Sequence, residues 1–385
     1  MLAFVCSAAF LVFAQTFLVA PLIPQLSMVF RSPVEWVGLA VPAYVVPQAI
    51  GTLFAGPVSD RVGRRAVIFG SLLAFIAFTA VTASVRSVDA FIGWRVATGI
   101  SAAGIVPIGL TLIGDLVPYA RRGRAVGWLF GSIAGGTATG AALGALLEPR
   151  VGWRSLFLGV AMFCAIAVAL ALAIRALPPS RTAAAATAAA VLRGYRRLLA
   201  MARARRTYGY VLLNAILQSG VFTWLGVYLH RRFGLGEGGI GLVLLGYGVP
   251  GLVFGPIIGK LADRYGRARI IPAGVALTGT CALLLALPLP LNGVRVAIIL
   301  LSLGFDLTHP LLAAIATDLG SVARGQAVAL MAFSLFSGFG LGSLMFEAAM
   351  SLGFPGALAL FGGVAWLAAV TAVFLFRRER PHAAR

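Results

Sequence analysis

The sequence predicts an all-α membrane protein: twelve transmembrane helices forming two six-helix parallel repeats about a pseudo-two-fold axis along the membrane normal. Three observations predict it. Of 385 residues, 60% are hydrophobic and only 11% charged, roughly half the charged share of a soluble domain. The apolar residues gather in runs of about 20, the length a helix needs to cross a hydrocarbon core of about 30 Å. And the second half of the chain echoes the first at a nearly fixed offset.

Hydropathy divides the chain into twelve runs. Those of the first half lie at about 2–26, 35–57, 66–85, 89–114, 124–147 and 153–175, and those of the second at about 207–230, 238–260, 269–289, 294–317, 326–349 and 353–376. The first run has no basic leader and is too long for the apolar core of a signal peptide, so it reads as a membrane span. It opens almost at Met1, so either the tail ahead of it is very short or the start site is misplaced. The runs group into an N-terminal bundle at 1–176, a basic linker at 177–206 and a C-terminal bundle at 207–385 ending in a short basic tail. Rich in alanine and arginine after its opening prolines, the linker suits an interfacial helix.

A net charge of +20 would point to nucleic acid in a soluble protein, so the placement of the charges decides. Arg61, Arg64 and Arg65 follow span 2, Arg121, Arg122 and Arg124 follow span 4, and Lys260, Arg264, Arg267 and Arg269 follow span 8. More arginines crowd the linker and the tail, while the odd-numbered spans are followed mainly by Arg31, Arg86, Arg150, Arg231, Arg232 and Arg295. This bias of roughly three to one places both termini and the linker on the cytoplasmic side of the cell membrane. No nucleic-acid partner is needed. Cys6, Cys164 and Cys281 all fall in apolar runs, which excludes a disulfide framework or a paired-cysteine metal site and leaves them as small buried filler.

GPVSDRVGRR at Gly56 is echoed by GKLADRYGRAR at Gly259, with Asp60 and Asp263 203 residues apart. The same offset pairs Gly38 with Gly241, Tyr44 with Tyr247, Pro47 with Pro250, Gly63 with Gly266, Arg64 with Arg267 and Asp115 with Asp318. One residue shorter, it pairs RGRAV at Arg122 with RGQAV at Arg324. Six being an even number, both halves enter the membrane in the same orientation and enclose a path between them.

These loops resemble the signature of the major facilitator superfamily, GPVSDRVGRR as its first copy and GKLADRYGRAR as its second. WRVATGISAAG at Trp94 is similar to the family's RxxxG segment, with Arg95 and Gly99 in place, and GWRSLF at Gly152 to its entry into span 6. The resemblance covers essentially the whole chain and is nearest to the drug and metabolite efflux branch of proton antiporters. It implies that Asp60 docks on the amides at the start of span 11, near Gly325 and Gln326, and that Asp263 docks on span 5 near Gly123 and Arg124. A helix N-terminus with its unpaired amides and positive dipole suits such a carboxylate. Arg64 can then bridge Asp60 to Asp115, and Arg267 can bridge Asp263 to Asp318. With Gly56, Arg61, Gly63, Gly259, Arg264 and Gly266, these residues read as a latch closed on the cytoplasmic side in the outward-open state. The plain alternative is that the arginines only fix topology.

Charge within the bilayer is costly enough to imply a partner, a water-filled cavity or a job. Arg95 lies in span 4, Asp306 and His309 share a face of span 10, and Glu347 lies toward the outer end of span 11. A carboxylate and an imidazole on one face can pass a proton. Arg95 can equally satisfy carbonyls at a helix bend, His309 can be a hydrogen-bonded core residue beside Pro310, and Glu347 can reach the headgroups. Gln15, Tyr44, Asn214, Gln218, Phe222, Trp224 and Tyr247 can line a mixed polar and aromatic pocket, although interhelical hydrogen bonding is an equal use for the amides. In span 5, Gly127, Gly131, Gly135, Gly140 and Gly144 form a small-residue stripe. By resemblance to the antiporter motif gxxxGPxxGG, Gly131, Gly135 and Gly140 are retained, while Gly136 replaces its proline and Thr139 a glycine.

No HExxH, GxSxG or phosphate-binding P-loop is present, so neither an enzyme nor an ATP-driven pump is expected, and no cofactor or metal. The expectation is a monomeric secondary transporter working by alternating access and exporting a small organic or amphiphilic molecule in exchange for protons. Uptake of a sugar or another organic solute by symport or facilitated diffusion is the alternative, and a transport-dead solute sensor a further one.

Overall fold

In the computed structural model the backbone is described for residues 1–117, 119–177, 188–319 and 324–379, with the side chains of 119–124, 126–127, 188, 252–257, 259–264, 317 and 324 left aside. Among these residues the regular structure is entirely helical. Span 1 is built from α1 (Leu2–Leu18), a 3-10 turn (Ala20–Leu22) and α2 (Ile23–Phe30). Pro21 and Pro24 explain the breaks, since proline is tolerated in the first turn of a helical segment but not in its interior. Span 2 comprises α3 (Val34–Gly38) and α4 (Pro42–Val62), span 3 is α5 (Arg64–Thr82), and span 4 comprises α6 (Val88–Ala102) and α7 (Ile105–Leu116).

Spans 5 and 6 lie within α8 (Tyr119–Ala173) as the two helices expected, meeting at a kink where Gly152 adopts φ 74° and ψ 152°. The linker helix α9 (Ala188–Ala200) follows, then α10 (Ala202–Phe233), which begins five residues earlier than expected. The remaining helices are α11 (Glu237–Tyr265), α12 (Arg267–Ala286), α13 (Leu291–Leu319), α14 (Arg324–Ala349) and, after a short 3-10 turn, α15 (Gly353–Leu375).

Nine stretches among the described residues are long and apolar enough to cross a membrane. Two of them, Trp128–Ala173 with 46 residues and Gly325–Leu375 with 51, have the length for two passes each at about 1.5 Å per residue. Large apolar side chains face outward on the second half of α8 (Met162, Phe163, Leu170) and on α15 (Leu367, Val370, Phe374). In a chain of this composition those faces meet lipid.

The internal repeat is written into the backbone. Gly63 (φ 99°, ψ 134°) separates α4 from α5, and Gly266 (φ 81°, ψ 147°) separates α11 from α12 in the same way. A side chain at either place would be strained, because L-residues avoid this region. Arg31 (φ 52°) and Gly234 (φ 63°) end spans 1 and 7, again 203 residues apart, and Gly152 and Gly353 turn the chain between the last two spans of each half.

Close approach between helices rests on glycine. On α8, a β-carbon at Gly136 or Gly140 would collide with the carbonyl of Phe10 or Ala14 on α1, and one at Gly144 would press on the Leu18 carbonyl at 3.1 Å. This corrects the expected stripe in part: Gly140 and Gly144 belong to it, but Gly131 is exposed with open space around its β-position, and Gly136 joins the row. Gly135 is buried. Span 5 carries small residues on several faces, so spacing alone did not select the right one.

Candidate functional site: a polar cluster between the two halves

Two seams join the first half of the chain to the second. Along one, α8 packs on α11, with Gly241, Gly248 and Gly251 against Ala142, Ala138 and Ala134; along the other, α4 packs on α14, with Gly340 against Val46. At the end away from the arginine-rich loops these seams are shut. Trp224 of α10 lies against Gly38, Gly226 approaches Pro21, and Arg231 lies 3.9 Å from Glu35. Trp224 is thus a buried closing residue whose indole donates to the Ser343 carbonyl at 3.1 Å, not the pocket wall expected.

An aromatic layer lies between the halves. Phe17 of α1 meets Phe222 (5.5 Å) and Phe339 (5.7 Å) edge-on, Phe222 lies 4.4 Å from Tyr247, and Phe339 continues to Phe305 at 6.4 Å. Phe305 stacks on the His309 ring (5.2 Å, 6°), whose other neighbour is Phe130 at 6.0 Å. Polar groups are set into this layer. Gln218 donates from Nε2 to the Tyr247 hydroxyl at 2.7 Å, while its Oε1 has no partner. Asn214 Nδ2, one turn away on α10, and His309 Nδ1 are buried and unpartnered as well. Leaving such groups unpaired costs about 1–3 kcal/mol each, which a bound polar molecule would recover.

Asp306 sits at the α8–α11–α13 junction. Its Oδ2 accepts from Ser302 Oγ at 3.3 Å, and a β-carbon at Gly251 would stand 3.2 Å from it. The absence of a side chain at Gly251 makes the room. Asp306 and His309 share a helix face, but no hydrogen bond joins them among the described residues.

Arg95 does not belong to this group. It is fully buried, and its partners are all in spans 1 and 2: Nε donates to the Ala40 carbonyl (2.9 Å), Nη1 to Gln15 Oε1 (2.9 Å) and the Gln15 carbonyl (3.3 Å), and Nη2 to the Thr16 carbonyl (3.0 Å). The Tyr44 ring covers the guanidinium at 4.5 Å. Gln15 and Tyr44 therefore serve Arg95 first, and Arg95 acts as a strut between α1, α4 and α6. Gly99, one turn on, faces the Tyr44 carbonyl so closely that no β-carbon fits. Glu347 is also separate, half-buried at the closed end and near enough to Glu35 to act on it electrostatically.

Gln48 escaped the sequence reading. It is 1% exposed, and both ends of its amide lack partners. The available signal was an amide one turn after Tyr44 in an apolar span.

At the arginine-rich end, Arg64 pairs with Asp115 and lies 3.8 Å from Asp60, and Arg267 Nη1 donates to Asp318 Oδ2 at 3.2 Å. Gly56 has open space beside it, and Arg61 is exposed. The docking expected of Asp60 on span 11 is not among the described hydrogen bonds, and Gly325 is exposed with nothing near its β-position. The second latch, through Gly259, Asp263 and Arg264 to Gly123 and Arg124, lies outside the described side chains. The linker helix reaches both halves here: Tyr195 donates to the Leu53 carbonyl of α4 at 3.0 Å, and Gln326 of α14 donates to the Val191 carbonyl at 3.4 Å.

The family profile described as Major Facilitator Superfamily matches residues 5–321 and 233–385. A chloramphenicol resistance protein of Streptomyces lividans is 29% identical over 261 residues, covering 67% of this chain and 65% of that protein. A gentisate transporter of Corynebacterium glutamicum is 30% identical over 297 residues, covering 73% of this chain and 65% of its own length. The chain thus spans just under two thirds of each of these two relatives. The solved structure of a D-xylose–proton symporter superposes with a TM-score of 0.78 at 17% identity, covering 96% of this chain and 95% of the other, a likeness of fold.

Proposed function

The chain belongs to the Major Facilitator Superfamily, and on that premise we propose that it exports a small, uncharged or cationic aromatic molecule across the cell membrane in exchange for protons, with the arginine-rich loops in the cytoplasm. The observation that carries the reading is Asp306, a carboxylate set mid-helix against α8 and α11 with one hydroxyl as its hydrogen-bond partner among the described residues. A buried acid so weakly held can exchange its proton when the seam beside it opens. Gln218, Asn214, His309 and Gln48 offer neutral donors and acceptors among aromatic rings, which suits a planar polar solute. Bundles 1–176 and 207–385 rock about this cluster as a monomer, with Asp60 and Asp263 engaging span 11 and span 5 when the cytoplasmic side closes. The resemblance to a chloramphenicol resistance protein supports export.

Uptake of an aromatic acid is the second reading, favoured by the gentisate transporter. Against it, an anionic solute calls for a free cation, and Arg95 already commits four donor contacts to spans 1 and 2. Purified protein in liposomes with an internal pH dye tests both. Export predicts that cationic or neutral aromatic compounds release protons from acid-loaded vesicles and that Asp306→Asn abolishes the release while substrate exchange persists. Proton movement only with aromatic acids, in the same direction as the acid, would overturn export. An unchanged pH dependence in Asp306→Asn would overturn the role of Asp306.

A further inference from the structure

At the end of the α8–α11 seam away from the arginine-rich loops, Gly241 of α11 packs on the Ala142 carbonyl, Ala145 and Leu146 of α8. About a turn further out come Glu237 on α11 and Glu148 on α8, close enough to act on one another electrostatically. Glu148 is 4% exposed. Gln25 of α2 donates to its Oε1 and the Trp153 amide approaches it, but Oε2 has no partner, and neither has Gln25 Oε1. Two buried acceptors stand there without a donor.

No cation answers them among the described residues. On its own helix Arg150 turns back to the Leu146 carbonyl (3.5 Å), and Arg154 donates to the Val85 carbonyl (2.9 Å) and lies over the Trp153 ring (4.4 Å). Helix α1 and the 3-10 turn carry no charged side chain, α2 offers only the Gln25 amide, and α11 brings a second carboxylate. The other seam has a corresponding acid pair, Glu35 and Glu347, but Arg231 lies 3.9 Å from Glu35. Among the described residues, the pair holding Glu148 has no such cation beside it.

We infer that Glu148 is a proton-binding site separate from Asp306, loaded from the outer face, and that its protonation holds the α8–α11 seam shut. The proton ends the cost of an orphaned buried acceptor at Oε2 and removes one charge of a like-charged pair. Opening the seam would carry Glu237 away and admit water to Glu148, favouring the carboxylate. Proton binding and closing are therefore linked, each promoting the other.

The inference stands without the coupling role of Asp306, and the test keeps the two apart. Nitroxide labels at Val151→Cys and Gly236→Cys, both exposed, in a Cys6→Ser background and in nanodiscs, report the width of the seam by pulsed electron paramagnetic resonance. Wild type is expected to show one short distance at pH 5 and a growing longer population toward pH 9 (both about the practical range for carboxylates at a protein surface or interior). Glu148→Gln should keep the short distance throughout, Glu237→Gln should move the transition to lower pH, and Asp306→Asn should leave it in place. A wild-type seam indifferent to pH, or a Glu148→Gln seam that opens as wild type does, overturns the inference. So does loss of the transition in Asp306→Asn, or closing driven by sodium at fixed pH. If Glu148→Gln fails to fold, an unmoved transition in Glu237→Gln overturns it instead.

Discussion

Replacing Arg95 tests whether the buried cation is a strut or a moving part. Four hydrogen bonds run from its guanidinium to Ala40, Gln15 and Thr16, and the Tyr44 ring covers it. At about 1.5–3 kcal/mol for each bond to a charged donor, the gross interaction is on the order of 6–12 kcal/mol. Taking the ion out of water costs several kcal/mol in return, and one-sided removal of a buried charged partner typically leaves a loss of about 3–5 kcal/mol. A polar group in a membrane helix also finds partners in the unfolded reference, which favours the lower end, about 3 kcal/mol. Arg95→Ala should therefore lower the thermal unfolding midpoint in detergent. Arg95→Lys should fall between it and wild type, since lysine keeps the charge but not the planar fork. Gln15→Ala alone should cost about 1 kcal/mol, and far less once Arg95 is gone, because the two share a contact. Wild-type stability in Arg95→Ala together with lost pH-dependent transport would refute the strut and return Arg95 to the transport cycle. Strict additivity of the two alanine changes would refute their bond.

Three further expectations can be checked separately. Glu379 is bound by Arg203 and Arg206 at the start of α10; burial pushes its carboxyl up, but the hydrogen bonds from Arg203 and then Arg206 outweigh this and hold it below the ordinary value of 4.5. Because the folded value is depressed, tail docking contributes stability above about pH 4.5 and loses it as the pH falls through the lowered value; limited proteolysis of the tail should accelerate there, and Glu379→Gln, losing about 1 kcal/mol after solvent screening, should show that faster cleavage at neutral pH. Gly140→Ala, which forces a β-carbon into the Ala14 carbonyl, should cost about 1–3 kcal/mol in thermal unfolding, whereas Gly131→Ala should be neutral or stabilising by up to about 1 kcal/mol. Tyr247→Phe removes the hydroxyl that Gln218 donates to and should weaken substrate binding in a radioligand competition assay by roughly tenfold, one unsatisfied amide being worth about 1.4 kcal/mol.

Much of the fold was legible because membranes restrict the solutions and the chain states its plan twice. Gly63 and Gly266 mark the same turn in sequence and in backbone angles, and the apolar runs predict the helices to within a few residues. The turn between spans 5 and 6 is a single glycine of positive φ, Gly152, which falls in the gap the apolar runs leave between 147 and 153. The site was harder. Arg95 and Asp306 look alike in a sequence, each a charge in an apolar span. What distinguishes them is that Arg95 meets the carbonyls of Ala40, Gln15 and Thr16, and backbone carbonyls leave no trace in residue type. Glu148 sits one residue beyond an expected span end beside Pro149, where a carboxylate reads as loop until the packing of α11 shows it buried.

Within the repeat the two halves differ in their buried charge, Arg95 in the first and Asp306 in the second. Gln15 and Gln218 are 203 residues apart, as are Tyr44 and Tyr247, so each half has the same glutamine and tyrosine frame. In the second half Gln218 bonds directly to Tyr247. In the first, Arg95 enters the frame, bonding Gln15 and lying under Tyr44. At the same offset Asp306 corresponds to Ala103, and Gly251, which makes room for Asp306, corresponds to Gln48. At these corresponding positions the larger side chain is on span 10 in one half and on span 2 in the other. A symmetric frame would bind symmetrically and give the two halves no reason to differ. A cation fixed within one half and an acid weakly held in the other supply that difference, and on the proposed antiport it is Asp306 that would exchange the proton. Restoring the first half's residues with Asp306→Ala and Gly251→Gln together should leave a folded protein, checked by thermal unfolding, yet abolish pH-driven transport. A double variant that still couples transport to pH would show that the asymmetry at this level is incidental.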